Sequence, residues 1–156
     1  MGWLRRWWPA IIWAIAISGF STGAFTSDNT SRIIVPVLHW LLPHVSPATL
    51  YELHHLIRKC AHLTEYFILS LLIVRGIRGG RPGARLTWSL AAIAAVACYA
   101  SLDEFHQSFV PGRTAAVTDV LIDTTGGIAA QVAFALGVRL RQRKAEGAGL
   151  SSENSE

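Results

Sequence analysis

The chain has 156 residues, enough for one compact domain, with 51% hydrophobic and 15% charged residues. Soluble domains average roughly 25% charged residues, so this composition excludes an ordinary soluble protein and points to a membrane one. A net charge of +4 does not indicate nucleic acid, because the arginines fall in short clusters between apolar stretches, a pattern suited to a lipid surface.

The first expected span runs from Trp7 to Phe25, after Arg5-Arg6. A cleaved secretory signal is the competing reading, with Ser-Thr-Gly-Ala resembling a cleavage region. The apolar stretch is long for a signal core, and Trp3, Trp7, Trp8 and Trp13 read as an interfacial anchor, which favours a retained span. Thr26 to Arg32 is expected as a polar loop. Ile33 to Leu42 is too short to cross, contains Pro36, and fits a helix in the interface or a short re-entrant segment.

Ser46-Pro47 reads as a helix cap followed by proline at the first helical position. The helix starting there is expected to continue through Arg75. Its first turns carry Glu52, His54, His55, Arg58 and Lys59, so only Ala61 to Val74 is assigned to lipid. Arg75 to Arg85 is a basic hairpin rich in glycine. A third span covers Leu86 to Leu102, whose alanines suit close helix packing. Val110-Pro111-Gly112-Arg113 forms the next turn, and a fourth span runs from Ala115 to Val138. Residues 1–144 make one membrane domain, and 145–156 read as a disordered cytoplasmic tail. Cys60 and Cys98 form no C-x-x-C pair and are expected as buried thiols.

The fold class expected is therefore all-α: a polytopic bundle of four transmembrane helices with a short interfacial helix. Four spans place both termini on one side. That side carries Arg5, Arg6, Arg75, Arg78, Arg81, Arg85, Arg139, Arg141, Arg143 and Lys144; the other carries Arg32, Arg58, Lys59 and Arg113. This bias puts both termini in the cytoplasm.

Polar residues converge on the opposite, outer face. His55, Lys59, His62 and Tyr66 recur at helical spacing, with Arg58 and Glu65 on the flank. Asp103, Glu104 and Gln107 lie where the third span reaches that surface, and Arg113 follows in the turn. Asp119 and Asp123 stack one turn apart at the start of the fourth span, and Gly126 and Ala130 continue their face. Charge inside hydrocarbon costs at least about 2.5–3.5 kcal/mol per group on insertion scales, so it is seldom carried without use. Each group also has a bland reading. Lys59 snorkels, His62 is a neutral core histidine, Asp103 and Glu104 flank a helix end, Arg113 closes its turn, and Gln131 bonds between helices. Taken together, the bland reading is a charge network that staples helices.

These residues carry a family resemblance. Lys59-Cys60-Ala61-His62-Leu63-Thr64-Glu65-Tyr66-Phe67 and Asp103-Glu104-Phe105-His106-Gln107-Ser108-Phe109-Val110-Pro111-Gly112-Arg113, followed by Asp119, Asp123 and Gly126-Gly127, resemble the VanZ-like family of bacterial membrane proteins. The patterns K-x-x-H-x-x-x-Y, D-E-x-x-Q-x-x-x-P-G-R and D-x-x-x-N/D-x-x-G occur in order, over nearly the whole chain except the tail. Asp123 stands where many relatives carry asparagine. The resemblance implies a multi-pass protein of the bacterial cytoplasmic (inner) membrane in an envelope context. The family's name comes from a protein associated with resistance to teicoplanin, and it brings no settled biochemical activity.

The residues leave several functions open. In the first, membrane lipids are the partners, and an envelope lipid headgroup or lipid-linked glycan binds at the outer leaflet. Lys59 and Arg113 would hold a phosphate, with Tyr66 and Gln107 as further ligand-binding groups. The carboxylates outnumber these cations, which counts against an anionic ligand. In the second, the protein is a membrane hydrolase or transferase, with His62, Glu65, Asp103, Glu104, Asp119 and Asp123 as the candidate catalytic groups. No H-E-x-x-H, G-x-S-x-G, Walker, cysteine–histidine or EF-hand pattern is present, so no metal ligand set and no cofactor is assigned. The third reading is a structural partner of an envelope assembly. The fourth is a proton-coupled carrier, which four spans without a repeated half disfavour.

Overall fold

The computed structural model describes residues 2–111 and 116–153, with side chains through Glu146. Five helices follow in order: α1 (Gly2–Phe20), α2 (Ser27–Leu41), α3 (Pro47–Arg78), α4 (Leu86–Gln107) and α5 (Val117–Glu153), with a 3-10 turn at Gly23–Phe25. Three of them, α3, α4 and α5, are individually long and apolar enough to cross a membrane; α1 qualifies jointly with the segment to Leu41, bent from it by 65°. The protein is thus an all-α bundle of three such helices, or four when the bent pair is counted.

Local chemistry sets the boundaries, and several differ from expectation. α1 stops at Phe20 rather than Phe25: Thr22 Oγ1 donates to the Gly19 carbonyl at 2.7 Å, and a 3-10 turn follows. The stretch expected as a polar loop is mostly helical. The Thr26 side chain accepts from the Asn29 N–H at 3.3 Å, and Asp28 in the first turn suits the positive helix end, so α2 starts at Ser27. Ile33, Val37, Trp40 and Leu41 leave one apolar face of α2 uncovered, which fits a helix at the lipid–water boundary.

Ser46 caps α3 by accepting from the Thr49 N–H, with proline following it. The helix runs on to Arg78, three residues beyond expectation, and ends at Gly79 in the left-handed region with φ 59°. At 32 residues it is roughly 48 Å long, more than the ~30 Å hydrocarbon core, so its polar first turns project from the membrane. α4 continues past Leu102 by more than a turn, bringing Asp103, Glu104 and Gln107 inward while Leu102 and Phe105 face out. α5 begins at Val117; the segment 112–115, which contains Arg113 and the expected start at Ala115, lies outside the described residues. The helical path of α5 continues to Glu153, through the stretch expected as a disordered tail from Ala145.

α3 is the central helix and packs against each of the other four. Its core contacts run from Tyr66 and Leu69 against Ile17, Val96 and Ala100 to Val74 against Trp88 and Ala92. Glycines set the closest approach. Gly126 of α5 sits against the Leu63 carbonyl of α3, and Gly127 lies against Val96, where an added Cβ would come within 2.8 Å. Gln131 then donates to Ser70 Oγ at 2.7 Å, and Ser70 donates to the Gly127 carbonyl at 3.0 Å. In hydrocarbon such small-residue contacts and interhelical hydrogen bonds take over from the hydrophobic effect. Cys60 and Cys98 are exposed, not buried in the bundle. Both sit on outward helix faces, and in a membrane those faces meet lipid.

A contrast between two glycines tests this packing. Gly126→Ala must push the α3 backbone away and should cost about 1–3 kcal/mol, read as a lower melting temperature in detergent. Gly137→Ala meets open space and should leave melting unchanged or slightly higher. Equal melting of both variants and the parent would remove the close contact as a determinant.

Candidate functional site

The polar residues gather at one end of the bundle, where α1 and α4 end, α5 begins and the first half of α3 passes. They form two adjacent groups rather than one cavity.

The first group is a closed knot around Asp103. Its Oδ2 accepts from Ser21 Oγ at 2.6 Å, Gln107 Nε2 at 2.9 Å and Tyr66 Oη at 3.3 Å. Gln107 also donates to Ser21 Oγ at 3.2 Å. α3, α4 and the turn that follows α1 each supply a donor, and Tyr66 is wholly buried. Glu104, one residue on, accepts from the Ala116 N–H at the entry to α5. Asp103 and Glu104 are thus committed to structural bonds in this state.

The second group is open. A cavity of about 100 Å³ between α3 and α5 is lined by His55, Arg58, Lys59, His62, Asp119, Ile122 and Asp123. His62 Nδ1 and Asp123 Oδ1 face each other at 3.6 Å, too far for a hydrogen bond, and neither atom has another partner among the described residues. Buried polar atoms left unsatisfied are uncommon, and where they face a cavity they mark a place for water or ligand. Lys59 stands exposed at the rim.

A second cavity of about 190 Å³ lies on the other side of His62. Phe20, Phe25, Ile34 and Ile57 give it apolar walls, while Ser21 (shared with the knot), Thr30, Arg58, His62 and Glu65 are its polar members. Arg58 and His62 therefore stand between the two spaces. Arg58 is held in place, its Nη1 donating to the Phe25 carbonyl and to Thr30 Oγ1, both at 3.0 Å, while Thr30 also meets His54 Nε2 at 3.1 Å. On the α1 side, Trp13 Nε1 donates to the Glu65 carbonyl at 2.9 Å, and Tyr99 Oη donates to the Ala14 carbonyl at 2.6 Å.

Of the sequence candidates, Lys59, His62, Asp119 and Asp123 share the polar cavity, and Glu65 lines the neighbouring one. Tyr66, Asp103 and Gln107 belong to the knot, with Glu104 beside it. Arg113 lies outside the described residues. Ser21, Thr30 and His54 were not singled out as site residues. A serine ending an apolar stretch and a polar triplet spaced for helix contact were the available signals, but neither reveals its partner in a distant helix. Among the described residues, no group of three His, Cys, Asp or Glu side chains is placed to hold a metal ion.

A polytopic helical membrane protein, with a polar site sunk into one end of its bundle, is the class these features define. The VanZ/LLP1 family model matches residues 7–138, most of the chain. The chain belongs to the VanZ/LLP1 family, and the two site clusters lie within the matched region. No curated protein and no solved structure matches it.

The knot and the cavity should respond differently to substitution. Asp103→Ala orphans three buried donors and should cost at least about 3 kcal/mol, whereas Tyr66→Phe loses one long bond and should cost about 0.5–1.5 kcal/mol. His62→Ala removes a side chain with no satisfied hydrogen bond and should leave melting close to the parent. Thermal unfolding in detergent checks the order; a His62→Ala loss as large as that of Asp103→Ala would make His62 part of the structural knot.

Proposed function

We propose that the protein binds an envelope lipid or lipid-linked glycan by its headgroup, in the polar cavity between α3 and α5, at the outer leaflet of a bacterial cytoplasmic membrane. The observation that carries this reading is the pair of unsatisfied atoms, His62 Nδ1 and Asp123 Oδ1, facing a polar space beside an apolar one. An amphiphile needs both environments side by side. About 100 Å³ admits a phosphate-sized group or a single ring, so a glycan chain would extend outside.

The charge balance supports an anionic headgroup better than the sequence alone does. Asp103 and Glu104 accept hydrogen bonds outside the cavity, so the carboxylates that line it are Asp119 and Asp123, with Lys59 exposed at its rim and Arg58 anchored in its wall. The cations offer N–H donors to phosphate, and the carboxylates accept from sugar or glycerol hydroxyls. A link to teicoplanin-type resistance would follow from handling such a lipid. The His62–Asp123 pair favours one second reading, acid–base hydrolysis or transfer on the bound headgroup, since closure by less than an ångström brings the two within hydrogen-bond reach.

Retention of polyprenyl phosphate and phosphatidylglycerol by the detergent-purified protein, followed by native mass spectrometry, tests the reading. Lys59→Gln and His62→Ala should each weaken retention by about tenfold, with melting unchanged. Loss of turnover with retention kept would instead indicate the enzyme. If both variants retain lipid like the parent and support envelope integrity equally, the cavity is not a lipid site.

The orientation has its own test. In a background without Cys60 and Cys98, a cysteine at Asn29 should react with an impermeant thiol reagent added to intact cells, and one at Gly80 should not. Equal labelling of the two would overturn the topology.

A further inference from the structure

The opposite end of the bundle holds a larger cavity, of about 720 Å³, where the start of α1, the end of α3 and the second half of α5 meet. From His62 to Arg78 along α3 is roughly 24 Å, so this cavity is separate from the candidate site. Arg5, Arg6, Arg75, Arg78 and Arg141 line it, over an apolar floor of Leu71, Val74 and Phe134. Among the described residues, none of these five guanidinium groups pairs with a carboxylate.

The convergence is built by packing. Trp7 lies on Gly76, where a Cβ would come within 2.9 Å of its ring, and Arg6 Nη1 lies over Gly79, where a Cβ would be 2.7 Å away. Arg75 Nη1 donates to the Arg6 carbonyl at 3.2 Å, and the Arg78 guanidinium sits 5.9 Å from the Phe134 ring centre. Close glycines and fixed side chains thus gather like charges that would otherwise spread into solvent. Arg81 makes the contrast: it caps the Ile77 carbonyl at 2.7 Å, stacks on Trp88, and lies outside the cavity. Five convergent cations with no carboxylate partner among the described residues call for an anion.

We propose that this cavity binds the phosphate headgroup of an anionic phospholipid from the leaflet on the side of the two termini. The guanidinium forks grip the phosphate in the bidentate manner that suits arginine, and the acyl chains descend past Leu71, Val74 and Phe134. Trp3 and Trp8, 66% and 50% exposed on the same turns of α1, supply the aromatic anchor of an interface at that level. A soluble phosphate would have no use for the apolar floor.

The test is native mass spectrometry of the full chain in detergent, with phosphatidylglycerol or phosphatidylcholine added. The parent should retain phosphatidylglycerol at this cavity and discriminate against phosphatidylcholine. Arg75→Gln, and separately the double variant Arg5→Gln/Arg141→Gln on the exposed rim, should weaken that retention by at least about tenfold. Arg85→Gln, outside the cavity on the same end, should not. If the α3–α5 site also takes phosphatidylglycerol, the parent holds two molecules, and His62→Ala and Arg75→Gln each remove a different one. Equal retention of the two lipids, or an equal loss in Arg85→Gln, would overturn the proposal. So would binding of inorganic phosphate that depends on Arg75 without retention of lipid.

Discussion

A single carboxylate oxygen, Asp103 Oδ2, accepts hydrogen bonds from Ser21, Tyr66 and Gln107 and so fastens the ends of α1 and α4 to the middle of α3. A buried carboxylate is tolerable only when its lone pairs are met, and here the partners come from α3, α4 and the turn that follows α1. The knot has a directional demand that apolar packing lacks. Ser21, whose N–H still bonds the Ile17 carbonyl at 2.9 Å, turns its side chain inward at the end of α1 to reach it, and α4 must stay helical beyond Leu102 to carry Asp103 and Gln107 inward. The length of α4 follows from that demand.

With α1, α3 and α4 fixed, α5 is set by a different rule. Gly126 against the Leu63 carbonyl brings its backbone onto α3 with no side chain between them. Asp123 lies one turn earlier on the same face, and so arrives opposite His62. The distance of 3.6 Å is therefore a consequence of a glycine contact a turn away, and a bulkier residue at 126 would widen the cavity as well as destabilise the bundle.

The helices and the sharing of one end by the polar residues were legible from hydropathy, the Ser46-Pro47 cap and helical spacing. The recurrence of His62 and Tyr66 at one turn placed both on the inner face of α3. What the sequence did not disclose was the division of labour. Asp103 and Asp123 look alike as carboxylates in apolar stretches, yet one accepts from Ser21, Tyr66 and Gln107 while the other faces His62 at 3.6 Å with an oxygen that has no hydrogen-bond partner among the described residues. That difference depends on Ser21 and Tyr66 meeting Asp103 across distant parts of the chain, a tertiary effect without a local signal. The helical start of α2 at Ser27 was local, readable from the Thr26 cap and Asp28, and was outweighed by the polarity of the segment. Cys60 and Cys98 mislead for a related reason, since apolar surroundings in the sequence mean lipid as readily as core.

A network that merely stapled helices would leave no buried ionisable pair unbonded beside open space, although single atoms such as Gln131 Oε1 and His54 Nδ1 also lack a partner among the described residues. The knot around Asp103 meets that description. The facing atoms of His62 and Asp123 do not: they are buried, a few tenths of an ångström beyond bonding range, and they border open space on a helix face that also carries Asp119 and Lys59. Stapling therefore accounts for Asp103, Tyr66, Gln107 and Ser21, and fails for the α3–α5 pair. The arginines at the far end divide less sharply. Arg81 bonds the carbonyls that end α3, and Arg75 and Arg78 each give one N–H to a backbone carbonyl, yet with Arg5, Arg6 and Arg141 they surround a cavity in which, among the described residues, no carboxylate faces them. At each end of the bundle, bonds that hold the fold lie beside donors and acceptors that border open space, and the latter are the ones a ligand can reach.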